Sequence, residues 1–219
     1  MSKIYDYVLF DFDGTIADTS AGIFNTFDFV KSVISGRDVP RSEYKKLIGP
    51  PLSYSFKEYF GLPESEIPSA IKIFREQYAK KGLFECAMYE GLRELFETLS
   101  KNGKKLFVAT SKPEAYAKKL LAHFGVAHYF AYVGGSDIEE TRAKKSEIIE
   151  YVLAAAGIED KSRAVMVGDR VFDVNGAKEA GLDCIGVLFG FGNRSELEDA
   201  GAIAIAKTPA DIAHIILQK

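Results

Sequence analysis

Apolar residues gather in four short runs along this chain, at 4–10, 105–110, 164–168 and 184–188. Each is nearly continuous in hydrophobicity and rich in strand-forming residues, the pattern of strands buried on both faces of a parallel sheet. Weaker candidates lie at 129–134 and 202–205. Between them, apolar positions recur at helical spacing over 91–101, 114–124, 145–156, 174–180 and 209–217. Strands alternating with helices predict an α/β fold built on a doubly wound, mostly parallel sheet.

One region breaks the alternation. From Ser20 to about Tyr89 no strand pattern appears, and apolar residues recur at helical spacing in Ile23, Phe27, Val30 and Ile34, then in Ile67, Ile71, Phe74 and Tyr78. Turns at Pro40, Gly49-Pro50-Pro51 and Gly61-Leu62-Pro63 punctuate them. This is far more helix than a sheet crossover needs. It predicts a helical cap over 20–89 inserted into an α/β core of 1–19 and 90–219. The alternative is a set of extra helices packed on the sheet edge.

Composition narrows the class without naming a chemistry. The 219 residues are 47% apolar and 27% charged, ordinary for a soluble globular chain. A net charge of -3 supplies no basic excess for phosphate backbones, so nucleic acid is not an expected partner. Cys86 and Cys184 are too few and too far apart for a disulfide framework or a zinc site, and read as two buried thiols in a reducing compartment. No segment reaches the roughly 20 apolar residues of a membrane span, and no leader pattern opens the chain. The expectation is a cytoplasmic monomer or homodimer with no membrane partner.

The candidate chemistry follows from where the strands end. Ligands of open α/β sheets sit at the carboxyl ends of the strands. The first strand runs into Asp11 and Asp13 in "LFDFDGT", the second into Thr110, Ser111 and Lys112 in "FVATSK", and the run "AVMVG" into Asp169, with Asp173 four residues on. Lys144 and Lys145 open the helix after the third strand candidate, and either could bring an ammonium to this edge. Four acids with one lysine in a partly desolvated cleft require a cation. Oxygen donors without His or Cys select a hard ion, and Mg2+ fits best because it shares carboxylates with phosphate oxygens. Asp11 can then attack phosphorus and form an aspartyl-phosphate, while Asp13 protonates the leaving oxygen and later deprotonates a water. Gly14 lets the backbone approach a phosphate, and amides from Phe12 to Thr15 are expected to donate to its oxygens. A hydroxyl at Thr110 and a lysine suit the charge of the transition state. Pro113 in the first turn of the next helix suits a helix start that favours an anion.

The motifs "VLFDFDGTIADTS", "VATSKPEAYAKKLLAHFG", "TRAKKSEII" and "VMVGDRVFDVNGAKEAGLDCIGV" resemble those of the haloacid-dehalogenase-like superfamily, in its phosphoglycolate phosphatase-like branch, along nearly the whole chain. "GVLFGFGNRSELEDAGA" resembles that branch's tail. The resemblance implies that Asp11 is nucleophile and magnesium ligand, and that Asp13 is general acid/base and ligates the metal through its backbone carbonyl. It implies that Thr110 binds the phosphoryl group and Lys145, by its spacing from Arg142 and to Ile148-Ile149, stabilises it. Asp169 completes the metal site, with Asp173 as a ligand or an acid beside the ligands. Gly14, Thr15, Ser111 and Lys112 fall among the substrate-binding positions. Gly49, in "LIGPPL", lies where such caps reach toward the leaving group, or is a plain helix-linking turn.

The implied activity is a magnesium-dependent phosphatase of a small phosphorylated metabolite: phosphoglycolate-like, a nucleoside monophosphate or pyrophosphate. A phosphomutase of the beta-phosphoglucomutase type is the alternative. A dehalogenase would lack the second acid, Asp13. A receiver module phosphorylated on aspartate would be about half this length and have no insertion.

Overall fold

The computed structural model describes residues 3–137, 142 and 144–218. Within them the chain divides into an α/β unit, Met1–Ala17 with Met88–Lys219, and a helical unit, Asp18–Ala87. Thr141 and Ala143 of the "TRAKK" motif lie outside the described residues.

The α/β unit is built on strands β1 (Tyr7–Phe10), β4 (Lys105–Pro113), β5 (Phe130–Ser136), β6 (Ala164–Gly168), β7 (Asp183–Val187) and β8 (Ala204–Ala206). Two two-residue strands, β2 (Ala17–Asp18) and β3 (Ala87–Met88), pair where the chain passes between the units. The six-stranded sheet runs β5-β4-β1-β6-β7-β8, with every pairing parallel. The strand order turns at β1: β4 and β5 lie on one side, β6 to β8 on the other. That reversal opens a crevice at the carboxyl end of β1. The doubly wound parallel sheet read from the apolar runs is the observed one.

Its helices are α4 (Leu92–Lys101), α5 (Glu114–His123), α6 (Lys145–Ala156), α7 (Val171–Glu179), α8 (Arg194–Ala200) and α9 (Pro209–Leu217). On one face of the sheet, Phe10 meets Phe96 of α4 edge to face at 5.3 Å, and Phe96 meets Phe130 at 5.0 Å. On the other, Leu9, Phe107 and Met166 pack with Ile148, Ile149 and Val152 of α6 and Val174 of α7. Burying both faces is what makes the central strands continuous in hydrophobicity rather than alternating.

Three departures from the sequence reading have local causes. The first strand begins at Tyr7 rather than residue 4, and Ile4 is 63% exposed. Helix α7 begins at Val171, three residues before the apolar pattern, because the Asp173 carboxylate folds back onto the amides that open it. Helix α8 was not foreseen: Leu197 is its one buried residue, so it carries no period, and its start is set by the Asn193 side chain accepting from the Glu196 amide. Cys184 is buried and its thiol pKa is pushed up by burial, whereas Cys86 is only half-buried.

The helical unit contains α1 (Ser20–Lys31), a 3-10 segment (Arg41–Leu47), α2 (Leu52–Glu58), α3 (Ile67–Lys80) and a second 3-10 segment (Gly82–Phe84). Its core is a ring cluster around Phe27, whose centroid lies 4.7 Å from Phe74, 5.6 Å from Phe60 and 5.7 Å from Tyr44. No helix among the described residues is long and apolar enough to cross a membrane.

Candidate active site

Residues from four strand ends converge in the α/β unit. In β1, Phe10 is level with Val108 of β4 and Val167 of β6, and the Asp11 amide extends the ladder by donating to the Val167 carbonyl at 2.9 Å. The chain then leaves the sheet in a tight turn, the Ile16 and Ala17 amides both donating to the Phe12 carbonyl. Asp11 and Asp13 are thereby presented at the crevice, separated by the fully buried Phe12.

The Lys145 ammonium lies at the centre. It sits 2.5 Å from Asp11 Oδ1 and 2.7 Å from Asp173 Oδ1, and donates to the Ala109 carbonyl at 3.0 Å. Lys144, the other member of the pair, is exposed and precedes α6. Burial and the contacts to Asp11 and Asp173 tell the two lysines apart. Both Asp173 oxygens are engaged: Oδ2 accepts from the Asp169 and Arg170 amides at 3.1 and 3.0 Å while Oδ1 faces Lys145. It orients the lysine and starts α7 at once, which is why the acids in "GDRVFD" stand four apart.

Asp169 is fully buried. Its Oδ2 accepts from the Phe191 amide at 2.6 Å, and Thr15 Oγ1 lies 3.4 Å from its Oδ1. The loop after β7 makes this possible. A Cβ on Gly190 would stand 2.5 Å from Asp169 Cβ and collide with the Gly14 carbonyl, so only glycine lets the two turns touch. The Gly190-Phe191-Gly192 loop is the part of the site that the sequence reading passed over as a tail. Glycines alternating within an apolar loop after a strand were the available signal. Glu196 of α8 was missed too: it accepts from the Arg170 side chain and the Val171 amide.

Thr110 is buried at the end of β4, where the register slips between Thr110 and Pro113 and leaves Ser111 and Lys112 in a bulge. Thr110 Oγ1 accepts from the Lys112 amide at 3.1 Å, and the Lys112 ammonium reaches Asp13 Oδ1 at 2.9 Å. Pro113 precedes α5 rather than lying in its first turn. The expectation of donor amides through Thr15 is corrected at two positions: the Gly14 amide donates to the Ala17 carbonyl and the Thr15 amide to the Phe12 carbonyl. Gly49 lies in the helical unit, after the Arg41–Leu47 segment, with φ +104.

The electrostatics are those of a site with surplus negative charge. Asp11, Asp169 and Asp173 are buried with ligand atoms within 4.8 Å of one another, against the single ammonium of Lys145. Burial pushes the Asp11 carboxyl up to about 6, Lys145 opposing and Asp173 reinforcing the shift. Burial, then Asp173 and Asp11, push the Asp169 carboxyl well above its ordinary value. Burial alone would lower Lys145, but Asp11 and Asp173 outweigh it and hold the lysine charged. A buried all-oxygen donor set with more negative charge than its lysine can offset suits a hard divalent cation.

A parallel sheet with paired acids at its turning strand, a lysine and a hydroxyl at neighbouring strand ends defines a hydrolase class. The chain belongs to the haloacid dehalogenase-like hydrolase family, whose pattern matches residues 8–187. A 5'-nucleotidase of Pseudomonas aeruginosa is 35% identical over 193 residues, 88% of this chain and 87% of that protein. A phosphoglycolate phosphatase of Agrobacterium fabrum is 31% identical over 188 residues, 84% and 80% of the two chains. The crystal structure of a predicted phosphatase from Clostridium acetobutylicum superposes with a TM-score of 0.93 at 36% identity, covering 99% of this chain and all of that one. The protein is a phosphatase of this family, and the resemblance read from its motifs is met.

Proposed function

We propose that the protein is a Mg2+-dependent phosphatase that hydrolyses a small phosphomonoester through an aspartyl-phosphate on Asp11. The observation that carries this reading is the buried Asp11 carboxylate held at 2.5 Å by Lys145 at the turning point of the sheet. The Asp11 and Asp169 carboxylates and the Asp13 backbone carbonyl are the proposed ligands. Asp173, with both oxygens engaged by Lys145 and backbone amides, is assigned to orienting rather than ligation. A bound magnesium ion would offset the carboxylate charge and withdraw electron density from the phosphoryl oxygens.

The chain's own groups account for the proton and bond changes. An Asp11 oxygen forms a bond to phosphorus as the bond to the leaving oxygen breaks, and Asp13 delivers a proton to that oxygen. Asp13 then takes a proton from a water whose oxygen attacks the same phosphorus. The Asp11–phosphorus bond breaks, releasing inorganic phosphate and restoring Asp11. Thr110 Oγ1 accepts from the Lys112 amide, which turns its own proton toward a phosphoryl oxygen. The Lys145 ammonium, held charged by its two carboxylates, faces the charge that develops.

The substrate class proposed is phosphoglycolate-like, a nucleoside monophosphate or pyrophosphate, in keeping with what the two relatives are named for. Ser111 is assigned to the phosphate end and Gly49 to the organic part, while Gly14 and Thr15, whose amides donate to the Ala17 and Phe12 carbonyls, are assigned to shaping the turn that presents Asp11 and Asp13. The protein is taken to work in the cytoplasm as a monomer or homodimer, with neither nucleic acid nor membrane as partner. A phosphate-release screen over phosphorylated metabolites with Mg2+ present tests the reading. Release from none of them would overturn it, and turnover of a sugar phosphate without phosphate release would point to a mutase.

A further inference from the structure

Lys112 was read from the sequence as a substrate-binding residue, yet its ammonium reaches Asp13. The side chain is 3% exposed, and its Nζ donates to Asp13 Oδ1 at 2.9 Å across 99 positions of sequence. Nζ also lies 5.6 Å from the centroid of Phe12, the ring between the two acids. The backbone beneath it is pinned twice: the Lys112 amide donates to Thr110 Oγ1, and the Lys112 carbonyl packs so closely on β5 that a Cβ at Gly135 would stand 2.5 Å from it. An ammonium this deeply buried is tolerated only with a partner held in good geometry. The bulge that ends β4 aims it.

We propose that Lys112 is the positioning residue of Asp13: through Oδ1 it fixes the carboxylate in the orientation that proton transfer needs. It acts through Asp13 and does not bind the substrate phosphate. The role rests on the phosphatase reading above, since it needs Asp13 to move protons. An aspartate released to rotate about its side-chain bonds would be misplaced by about an ångström, a displacement that costs up to about 100-fold in rate.

The test is a double-variant cycle with Lys112→Met and Asp13→Asn, assayed with an alkyl phosphate and an activated aryl phosphate. Lys112→Met should lower kcat on the alkyl phosphate by about 10- to 100-fold with KM within about threefold, and slow phosphoenzyme formation from the aryl phosphate much less. In the Asp13→Asn background the same substitution should cost nothing further. Losses that multiply, or a KM that rises at least tenfold on both substrates with kcat retained, would overturn the role and make Lys112 a phosphate ligand. Should Lys112→Met fail to fold, as circular dichroism would reveal, Lys112→Gln keeps a donor and must show the same non-additivity. Inactivity of the wild-type chain on every substrate would instead strike the phosphatase reading and this role with it; additive losses in an active enzyme strike this role alone.

Discussion

Replacing Lys145 with methionine removes the charge between Asp11 and Asp173 while keeping the aliphatic stem that packs over Gly176. The lost contacts are those to Asp11 at 2.5 Å, Asp173 at 2.7 Å and the Ala109 carbonyl at 3.0 Å, from a side chain only 6% exposed. Two buried carboxylates are then left facing each other. Breaking such a buried pair from one side costs about 3–5 kcal/mol, several times what an exposed pair contributes. With a urea dependence of about 2–3 kcal/mol per molar, the midpoint of metal-free unfolding at pH 7.5 should fall by about 1–2 M. The loss should depend on pH in a definite direction. The Asp11 carboxyl is raised from 3.8 to about 6 in the folded chain, so the folded form binds its proton more tightly than the unfolded one. That contribution is fully present below 3.8 and fades as pH rises through about 6. Without Lys145, which lowers it, the carboxyl keeps its proton to higher pH still, and at pH 5 the repulsion is relieved. The cost of the substitution should therefore shrink by about 1–2 kcal/mol between pH 7.5 and pH 5. The assay is urea unfolding followed by circular dichroism in EDTA at both pH values. A loss under about 1 kcal/mol at pH 7.5, the value of an exposed pair, would refute the buried-cluster reasoning. So would an equal loss at both pH values.

Three further outcomes are expected. Asp11→Asn should abolish turnover, because an amide neither attacks phosphorus nor carries the charge a metal needs; phosphate release above a few per cent of wild type would count against Asp11 as nucleophile. Exhaustive chelation with EDTA should silence phosphate release and Mg2+ should restore it, whereas full activity after chelation would remove the metal from the mechanism. Gly190→Ala should drive a methyl group into Asp169 and the Gly14 carbonyl, costing about 1–3 kcal/mol and weakening Mg2+ binding measured by calorimetry. A variant with unchanged melting temperature and magnesium affinity would show that the loop after β7 does not hold Asp169.

The strand ends and their acids were legible in the sequence because both signals are local. A run such as "AVMVG" declares a strand buried on both faces, and the rule that ligands gather at carboxyl ends then groups Asp11, Asp13, Thr110 and Asp169 without coordinates. The helical insertion was legible for the same reason, as a change of hydrophobic period between the first and second long strands. What only the tertiary structure decided were contacts between residues far apart in the chain. Lys144 and Lys145 are adjacent and alike; the rotation of α6 against the sheet buries one at Asp11 and leaves the other in water. Lys112 lies one residue past Ser111 in a short polar motif, and only the bulge against β5 turns it onto Asp13. The loop at 190–192 closes over Asp169 from a strand on the far side of β6, a proximity with no periodic trace in sequence. A strand or helix is written in the spacing of its own residues, whereas the partner of a buried charge is chosen by how those elements pack.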